Sequence, residues 1–313
     1  MSWRQQHERS NLATVRLMRR LTQLLPRSIA KGFLPPIAFY FLLTSRRARL
    51  ASRGFLAQAS GRPASLPQVY RHYLSFATVV MDRVYLLTNR FEYFEFSVEG
   101  EDIALAVLQR RRGLFLLGAH LGSFEVLRAV GRHLEVPPIA MVMFEENARA
   151  INAVLAEIDP ALASEHEIIG LGRPDSMLRV RDALDRGSII GILADRLLDS
   201  RSGATDNRRI PFLGRPARFP VGPFRMAALL RRPVMLMLGI HLGGNRYRMV
   251  FEMIHDFSND APGQRQAAID VAIQNYVARI EHYARLYPLN WFNFFDMWQD
   301  EENDDIAPLG LRV

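Results

Sequence analysis

Short runs of consecutive apolar residues alternate along the chain with segments in which apolar residues recur at helical spacing. We expect buried strands at 114–119, 139–143, 168–170, 189–194, 234–241 and 247–253. We expect helices at 66–94 (one helix or a pair), 124–134, 148–157, 175–185, 222–231 and 270–286. Strands that alternate with helices are typical of a parallel sheet that is covered on its faces. The pattern therefore predicts an α/β fold with a mainly parallel sheet flanked by helices.

The first 62 residues have a different pattern from the rest of the chain. Apolar residues in 12–25 recur at near-helical spacing with arginines between them, which is typical of a helix that lies on a membrane surface. Residues 32–45 are uncharged and apolar, but a bilayer-spanning helix needs about 20 such residues. Pro35 and Pro36 also argue against a continuous span. We predict that residues 1–62 associate with a membrane; an ordinary docking helix followed by a core helix is the alternative.

The charge of the chain is concentrated at its two ends. The net charge is +8 and the sequence pI is about 10.2, values that invite a nucleic-acid-binding interpretation. Residues 1–62 carry +11 and the tail at 300–313 carries −4, so the centre at 63–299 is almost neutral. A domain that binds nucleic acid normally carries its basic residues on the folded surface. We therefore assign 63–299 to one main domain and expect a membrane surface, not nucleic acid, as partner.

A histidine and a glutamate lie close together just after a predicted strand. The segment 113–125 runs from the strand through a loop with His120 into a helix whose first turn contains Glu125. Ligands of such sheets collect at the carboxyl ends of the strands. A neutral imidazole can take a proton from a hydroxyl, and a carboxylate on its other nitrogen fixes the tautomer. The alternative is a hydrogen-bonded core histidine and a glutamate that complements the helix dipole.

The H-x4-E arrangement from His120 to Glu125 resembles the signature of the lysophospholipid acyltransferase superfamily. Its surroundings are most similar to the bacterial lipid A biosynthesis (lauroyl/myristoyl) acyltransferase family. Further blocks that resemble this family follow in the same order: IIGILADR at 189–196, IPFLGRPARFPVGPFRM at 210–226, the block around Pro233, and YPLNWFNFFDMW at 287–298. The resemblance covers about residues 30–298 and implies a glycerolipid-acyltransferase-like fold.

The resemblance also implies roles for individual residues. His120 would be the general base, Glu125 its orienting partner, and Asp195 a structural or acceptor-side residue. Guanidinium groups suit phosphate oxygens, so three arginines are candidates to bind a phosphate or the phosphopantetheine of the donor. These candidates, for which a solvated loop position is the alternative, are Arg196, Arg215 and Arg218.

The implied reaction transfers a fatty acyl group from an acyl carrier protein (ACP) or coenzyme A (CoA) thioester to a hydroxyl of a glycolipid or other amphipathic acceptor. The resemblance implies no cofactor and places the protein on the cytoplasmic face of the inner membrane. Many family members have a Tyr-Arg pair where this chain has Val142, Met143 and Phe144, and a longer membrane anchor, so the acceptor is left open. We expect the acyl chain to lie against 114–117, Phe124, Leu127 and 291–298.

Two other classes of function remain as alternatives. One is a thioesterase or lipase-like hydrolase, in which water replaces the acceptor. The other is a non-catalytic module that binds a membrane or nucleic acid.

The chain has no cysteine, which excludes a thiol nucleophile and thiolate metal ligands. It also lacks a G-x-S-x-G elbow around Ser123, and no pair of histidines has zinc-ligand spacing.

Overall fold

The computed structural model of the chain describes residues 26–130, 136–144, 167–197, 207–261 and 263–298. The expected helices at 12–25 and 148–157 and the acidic tail lie outside these ranges.

Nine strands are described, and seven of them form one sheet. Their bounds are β1 Glu95–Glu99, β2 Leu114–Gly118, β3 Ile139–Phe144, β4 Glu167–Leu171, β5 Ile189–Leu193, β6 Asn207–Phe212, β7 Arg215–Pro220, β8 Pro233–Gly243 and β9 Arg246–Asp256. The order in the large sheet is β1-β9-β8-β2-β5-β3-β4, and β6 and β7 form a separate antiparallel hairpin. All neighbours in the large sheet are parallel except β8 and β9. The predicted α/β class with a mainly parallel sheet is confirmed.

Helices cover the two faces of this sheet. Their bounds are α1 Arg27–Gly32, α2 Leu34–Thr44, α3 Arg46–Ser60, α4 Leu66–Leu87, α5 Glu101–Leu108, α6 Leu127–Val130, α7 Ser176–Asp185, α8 Gly222–Leu229 and α9 Arg265–Leu286. Helix α4 is one continuous helix, and it begins with a capping box between Ser65 and Gln68. Of the expected helix at 124–134, the described part is a 3-10 turn, Phe124–Val126, followed by α6; residues 131–134 lie outside the described ranges.

The elements that the apolar pattern did not predict are polar or short. Strand β1 lies at the edge of the sheet and most of its residues are exposed, so it lacks the apolar run of a buried strand. The hairpin β6–β7 contains prolines and arginines, which are uncommon in the interior of sheets. The six strands that were predicted have apolar runs, because most of their side chains are buried.

Strand β2 lies near the middle of the sheet and contributes to both faces. Phe115 and Leu117 pack in the core on the α9 side, whereas Leu114 and Leu116 pack in the core on the α4 side. This alternation is the period of two that a strand imposes. All five residues of β2 are buried, so the loop that follows it starts from a fixed position.

A buried ion pair attaches helix α1 to α4, and a hydrogen bond attaches it to the turn between β8 and β9. The Arg27 guanidinium donates to both carboxylate oxygens of Asp82 at 2.7 Å and to the carbonyl of Gly244 at 2.8 Å. The Tyr247 hydroxyl donates to the same carboxylate at 2.8 Å. Gly244 follows the carboxyl end of β8, which is parallel to β2, so α1 lies at the edge of the sheet where β2 also ends.

Helices α1 and α2 and the residue between them expose large apolar side chains. Leu34, Ala38 and Leu42 are the buried side of α2. The exposed side and its neighbours form a surface that we call the apolar face: Ile29, Phe33, Ile37, Phe39, Tyr40, Phe41 and Leu43. None of the helices in the described ranges is both long and apolar enough to cross a membrane.

Candidate functional site

The loop after β2 carries His120 and is held by neighbouring elements. The carbonyl of Gly118, at the end of β2, accepts from the Tyr276 hydroxyl at 2.8 Å and from the Ala194 amide at 3.0 Å. Gly122 has a φ of +78°, and a Cβ at this position would lie 2.0 Å from the carbonyl oxygen of Gly239. Only glycine fits both the conformation and the close approach. Gly122 therefore allows the chain to bend between His120 and the 3-10 turn at Phe124–Val126.

The segment 287–298, which we call the closing segment, packs along this loop. The amide of Phe292 donates to the carbonyl of His120 at 2.6 Å, and the amide of Gly122 donates to the carbonyl of Asn290 at 2.8 Å. Leu121 and Trp291 form an antiparallel bridge between these bonds. The backbone of His120 is thus fixed by a part of the chain that is distant in sequence.

The imidazole of His120 is hydrogen-bonded to Asp195. Nδ1 lies 2.9 Å from Oδ1 and 3.2 Å from Oδ2 of this carboxylate, and the backbone amide of His120 donates to Oδ2 at 2.9 Å. The Asp195 side chain is fully buried, whereas 26% of the His120 side chain is exposed. The carboxylate accepts, so Nδ1 carries the proton and Nε2 has a free lone pair. Within the described ranges, no residue forms a hydrogen bond with Nε2.

Glu125 does not take the position that we expected of it. Its carboxylate accepts from the Ser123 hydroxyl at 2.6 Å and forms an ion pair with Arg83 of α4, with Nε and Oε1 2.9 Å apart. The sheet order explains the difference, since β2 and β5 are neighbours and the residues after both strands meet at one edge. The carboxylate that orients His120 is therefore Asp195. A catalytic role for Glu125 stays a prediction.

The charges around the pair favour a neutral imidazole beside an ionised carboxylate. Burial lowers the pKa of His120 below its usual value, the Asp195 charge opposes this, and the charges of Arg196 and Arg83 reinforce it. Burial alone would raise the pKa of the Asp195 carboxyl, but the contacts with His120 and the charge of Arg196 hold it well below the usual range. At neutral pH, His120 can therefore accept a proton.

Arg196 faces the same site, but its guanidinium is engaged by the protein. Nε donates to Oδ1 of Asn293 at 2.6 Å, and the guanidinium lies over the ring of Phe295, 5.6 Å from its centroid. The amide of Asn293 donates in turn to Asp195 at 2.7 Å. The sequence did not single out Asn293; its signal was a polar residue between the aromatic residues of the closing segment.

Arg215 and Arg218 lie on the β6–β7 hairpin. The Arg215 guanidinium lies over the ring of Trp298, 5.2 Å from its centroid, and Arg218 is half-buried opposite Arg209. The Trp298 indole also donates to the carbonyl of Phe212 at 3.2 Å, so the hairpin packs against the end of the closing segment. None of the hydrogen bonds described here joins these two arginines to His120, so their role as donor-binding residues stays a prediction.

His72 of α4, which is fully buried, is hydrogen-bonded to the closing segment. Its Nε2 donates to the carbonyl of Trp291 at 2.6 Å, and its Nδ1 accepts from the Ser52 hydroxyl at 2.7 Å. Its ring lies 4.9 Å from that of Phe294, centroid to centroid. Burial lowers the pKa of His72 to about 4, so it is neutral at physiological pH. In the sequence, His72 is one polar residue within an apolar helical pattern, and nothing in that pattern marks it.

The expected lining of an acyl slot divides between the two faces of the sheet. Phe124 and Leu127 share the α4-side core with Phe292, whereas Trp291 belongs to the core on the α9 side. The Phe124 ring lies over two glycines of the sheet: a Cβ would be 3.2 Å from the ring at Gly191 and 3.3 Å from it at Gly118. The His120 loop therefore has apolar side chains on both sides, since its residues Ala119 and Leu121 belong to the α9-side core with Trp291.

Comparisons with known proteins add nothing to this geometry. The chain matches no protein-family model, and a search of curated proteins found none with significant similarity. Among the described side chains, no group of three or more His, Cys, Asp or Glu residues is placed to hold a metal ion. Function has to be argued from the site.

Proposed function

We propose that this protein is an acyltransferase of the membrane surface. It would transfer a fatty acyl group from an ACP or CoA thioester to a hydroxyl of a glycolipid or another amphipathic acceptor. The observation that carries the proposal is the His120–Asp195 pair at the carboxyl edge of the sheet, with a partly exposed ring whose Nε2 bonds to no described residue. This arrangement suits a general base, because a base needs a free lone pair and a fixed tautomer.

The proposed reaction proceeds without a covalent enzyme intermediate. Nε2 of His120 takes the proton of the acceptor hydroxyl while the hydroxyl oxygen bonds to the thioester carbonyl carbon. The carbon–sulfur bond then breaks, and the departing sulfur takes the proton back from the imidazolium. The Asp195 carboxylate stabilises the imidazolium between these two steps. A serine nucleophile is less favoured, since the Ser123 hydroxyl donates to Glu125 and not to His120.

The membrane part of the proposal rests on the apolar face and its surroundings. Lys31, Arg46 and Arg47 flank this face, and the chain has no acidic residue between Glu8 and Asp82. A large apolar patch with a basic rim suits the surface of an anionic bilayer. Because α1 lies at the carboxyl edge of the sheet, the membrane would meet the protein on the edge that carries His120. We place this membrane surface on the cytoplasmic side of the inner membrane.

The test is thioester turnover by the purified full-length protein. Free thiol would be measured with acyl-ACP or acyl-CoA as donor, with and without bacterial glycolipid in mixed vesicles, and the lipid product would be identified by mass spectrometry. We expect thiol release that requires the lipid and yields an acylated lipid. Release that does not need lipid would identify a hydrolase. No release, together with vesicle binding, would identify a non-catalytic module. His120→Ala is the inactive control.

A further inference from the structure

Asn293 is a buried amide that lies between a cation and an anion. Its Oδ1 accepts from Nε of Arg196 at 2.6 Å, and its Nδ2 donates to Oδ2 of Asp195 at 2.7 Å. A guanidinium only donates and an ionised carboxylate only accepts, so a single orientation of the amide satisfies both neighbours. An aspartate at position 293 would place a second carboxylate against Asp195. An apolar side chain there would remove the hydrogen bonds to both Arg196 and Asp195.

The hydrogen bond from Asn293 helps to set the rotation of the Asp195 carboxylate. Besides the longer 3.2 Å contact with Nδ1 of His120, Oδ2 accepts hydrogen bonds from the backbone amide of His120 at 2.9 Å and from Asn293 at 2.7 Å. With Oδ2 held at two points, Oδ1 is aimed at Nδ1 of His120, 2.9 Å away. The residue before Asn293, Phe292, also holds the carbonyl of His120. Two consecutive residues of the closing segment therefore fix both members of the pair.

We propose that Asn293 is a positioning residue: it sets the rotation of the Asp195 carboxylate and through it keeps the proton of His120 on Nδ1. The inference deepens the proposed function and rests on it for its catalytic meaning. The hydrogen-bond network itself can be tested without any activity. Asn293 touches no reacting atom in this scheme and acts through Asp195.

The expected effects follow from the charges that face the pair. These are Arg83 from α4 and Arg196 after β5; the Tyr276 hydroxyl from α9 also faces Asp195 but is neutral, because burial raises its pKa. Asn293→Asp adds a negative charge beside Asp195 and should raise the pKa of His120 by about 1 unit, because an added opposite charge at this range favours the imidazolium. Asn293→Ala removes the donor on Oδ2, so the carboxylate can rotate and His120 should populate both tautomers.

Nitrogen-15 NMR of the full-length protein with labelled histidine measures both quantities directly. The signal of His120 is identified by its loss in His120→Gln. Two control variants separate the proposed role from the effects of a remote charge change and of a general loss of stability. Asn275→Asp makes the same charge change on an exposed position of α9. Asn290→Ala removes a buried amide that bonds to the backbone of His241 and not to Asp195.

The proposal is supported if both Asn293 variants change the pKa or tautomer of His120 and neither control does. It is overturned if Asn293→Asp and Asn293→Ala lower the melting temperature but leave the pKa and tautomer of His120 as in the wild type. If Asn293→Asp does not fold, Asn293→Ala decides alone through the tautomer. If the wild-type protein transfers no acyl group but Asn293→Ala still alters the tautomer of His120, the positioning role is supported and the proposed function is rejected.

Discussion

At the scale of single residues, the Asp195 carboxylate does two things for His120. It holds the proton on Nδ1, and its charge raises the pKa of the imidazole against the effect of burial. Asp195→Asn should therefore lower the transfer rate by about 10² to 10⁴. A base works only when unprotonated, so activity falls as pH drops through the pKa of His120. Loss of the carboxylate lowers this pKa, and the acidic limb of the pH–rate profile should move to lower pH.

Initial rates across neutral and acidic pH measure both effects. Asp182→Asn is the matched control, since Asp182 is exposed on α7 and should leave the profile unchanged. A folded Asp195→Asn protein with the wild-type rate would exclude Asp195 as the orienting group and return that role to Glu125.

Glu125 can be separated from Asp195 by the same assay. Its ion pair with Arg83 is partly exposed, and such pairs stabilise proteins by about 0–1 kcal/mol. Glu125→Gln should thus leave the melting temperature nearly unchanged. If the motif is catalytic, the transfer rate should fall, but the acidic limb should stay in place because the imidazole keeps its carboxylate. A shift of the limb as large as that of Asp195→Asn would show that Glu125 also contacts the imidazole.

The sequence predicted His120 in a loop after β2, because a buried apolar strand followed by glycines has a clear pattern. It also marked Asp195 as a residue that ends a strand. The local sequence pattern could not predict that His120 and Asp195 form a pair, since this depends on β2 and β5 being neighbours in the sheet. Asn293 was missed for the same reason: its amide meets Arg196 and Asp195 only after the closing segment has folded back across the loop.

At the scale of elements, α3 and α4 clamp the closing segment through Ser52 and His72. The pKa of His72 falls from 6.5 in the unfolded chain to about 4 when folded, because burial disfavours the charged form. The neutral group stabilises the fold fully above pH 6.5, and this contribution is lost as pH falls through about 4. A shift of this size corresponds to about 3 kcal/mol.

Urea unfolding at a series of pH values measures the loss. His72→Gln should remove this part of the pH dependence, whereas His282→Gln, at an exposed position of α9, should retain it. An equal fall in unfolding free energy with pH in wild type and His72→Gln would assign the acid sensitivity to other groups.

Helices and strands with an apolar side were predictable from their periodicity, and α4, α7, α8 and α9 occur where apolar residues recur at helical spacing. Helix α5 and strand β1 were not, because their position at the edge of the sheet leaves much of their surface exposed. The hairpin β6–β7 was missed since its arginines and prolines break the alternation typical of a strand. Pattern therefore identifies the centre of this fold better than its margins.

At the scale of the whole molecule, the apolar face is expected to bind anionic bilayers. Phe39→Glu with Leu43→Glu should weaken vesicle binding by at least about tenfold, because a buried apolar side chain contributes about 1.5–3 kcal/mol. Val271→Glu with Leu286→Glu is the matched control: these side chains are 48% and 55% exposed on α9, compared with 53% and 60% for Phe39 and Leu43.

Sedimentation of the full-length protein with anionic and neutral vesicles measures the effect. Binding of the wild type should be stronger to anionic vesicles and should weaken as salt is added, since each basic residue near the surface contributes about 1 kcal/mol. If the Phe39 and Leu43 variant binds as well as the α9 control, the apolar face does not contact the membrane.

The bond between Phe292 and His120 imposes an order on events during protein synthesis. Chains grow at about 5–20 residues per second, so roughly ten to thirty seconds separate the translation of His120 from that of Phe292 and Asn293. Throughout that interval the growing chain has its histidine but lacks the residues that hold its backbone and its carboxylate. If the protein is the acyltransferase that we propose, we expect an unfinished polypeptide on the ribosome to lack a properly held base, and so to leave activated acyl groups intact until synthesis is nearly complete.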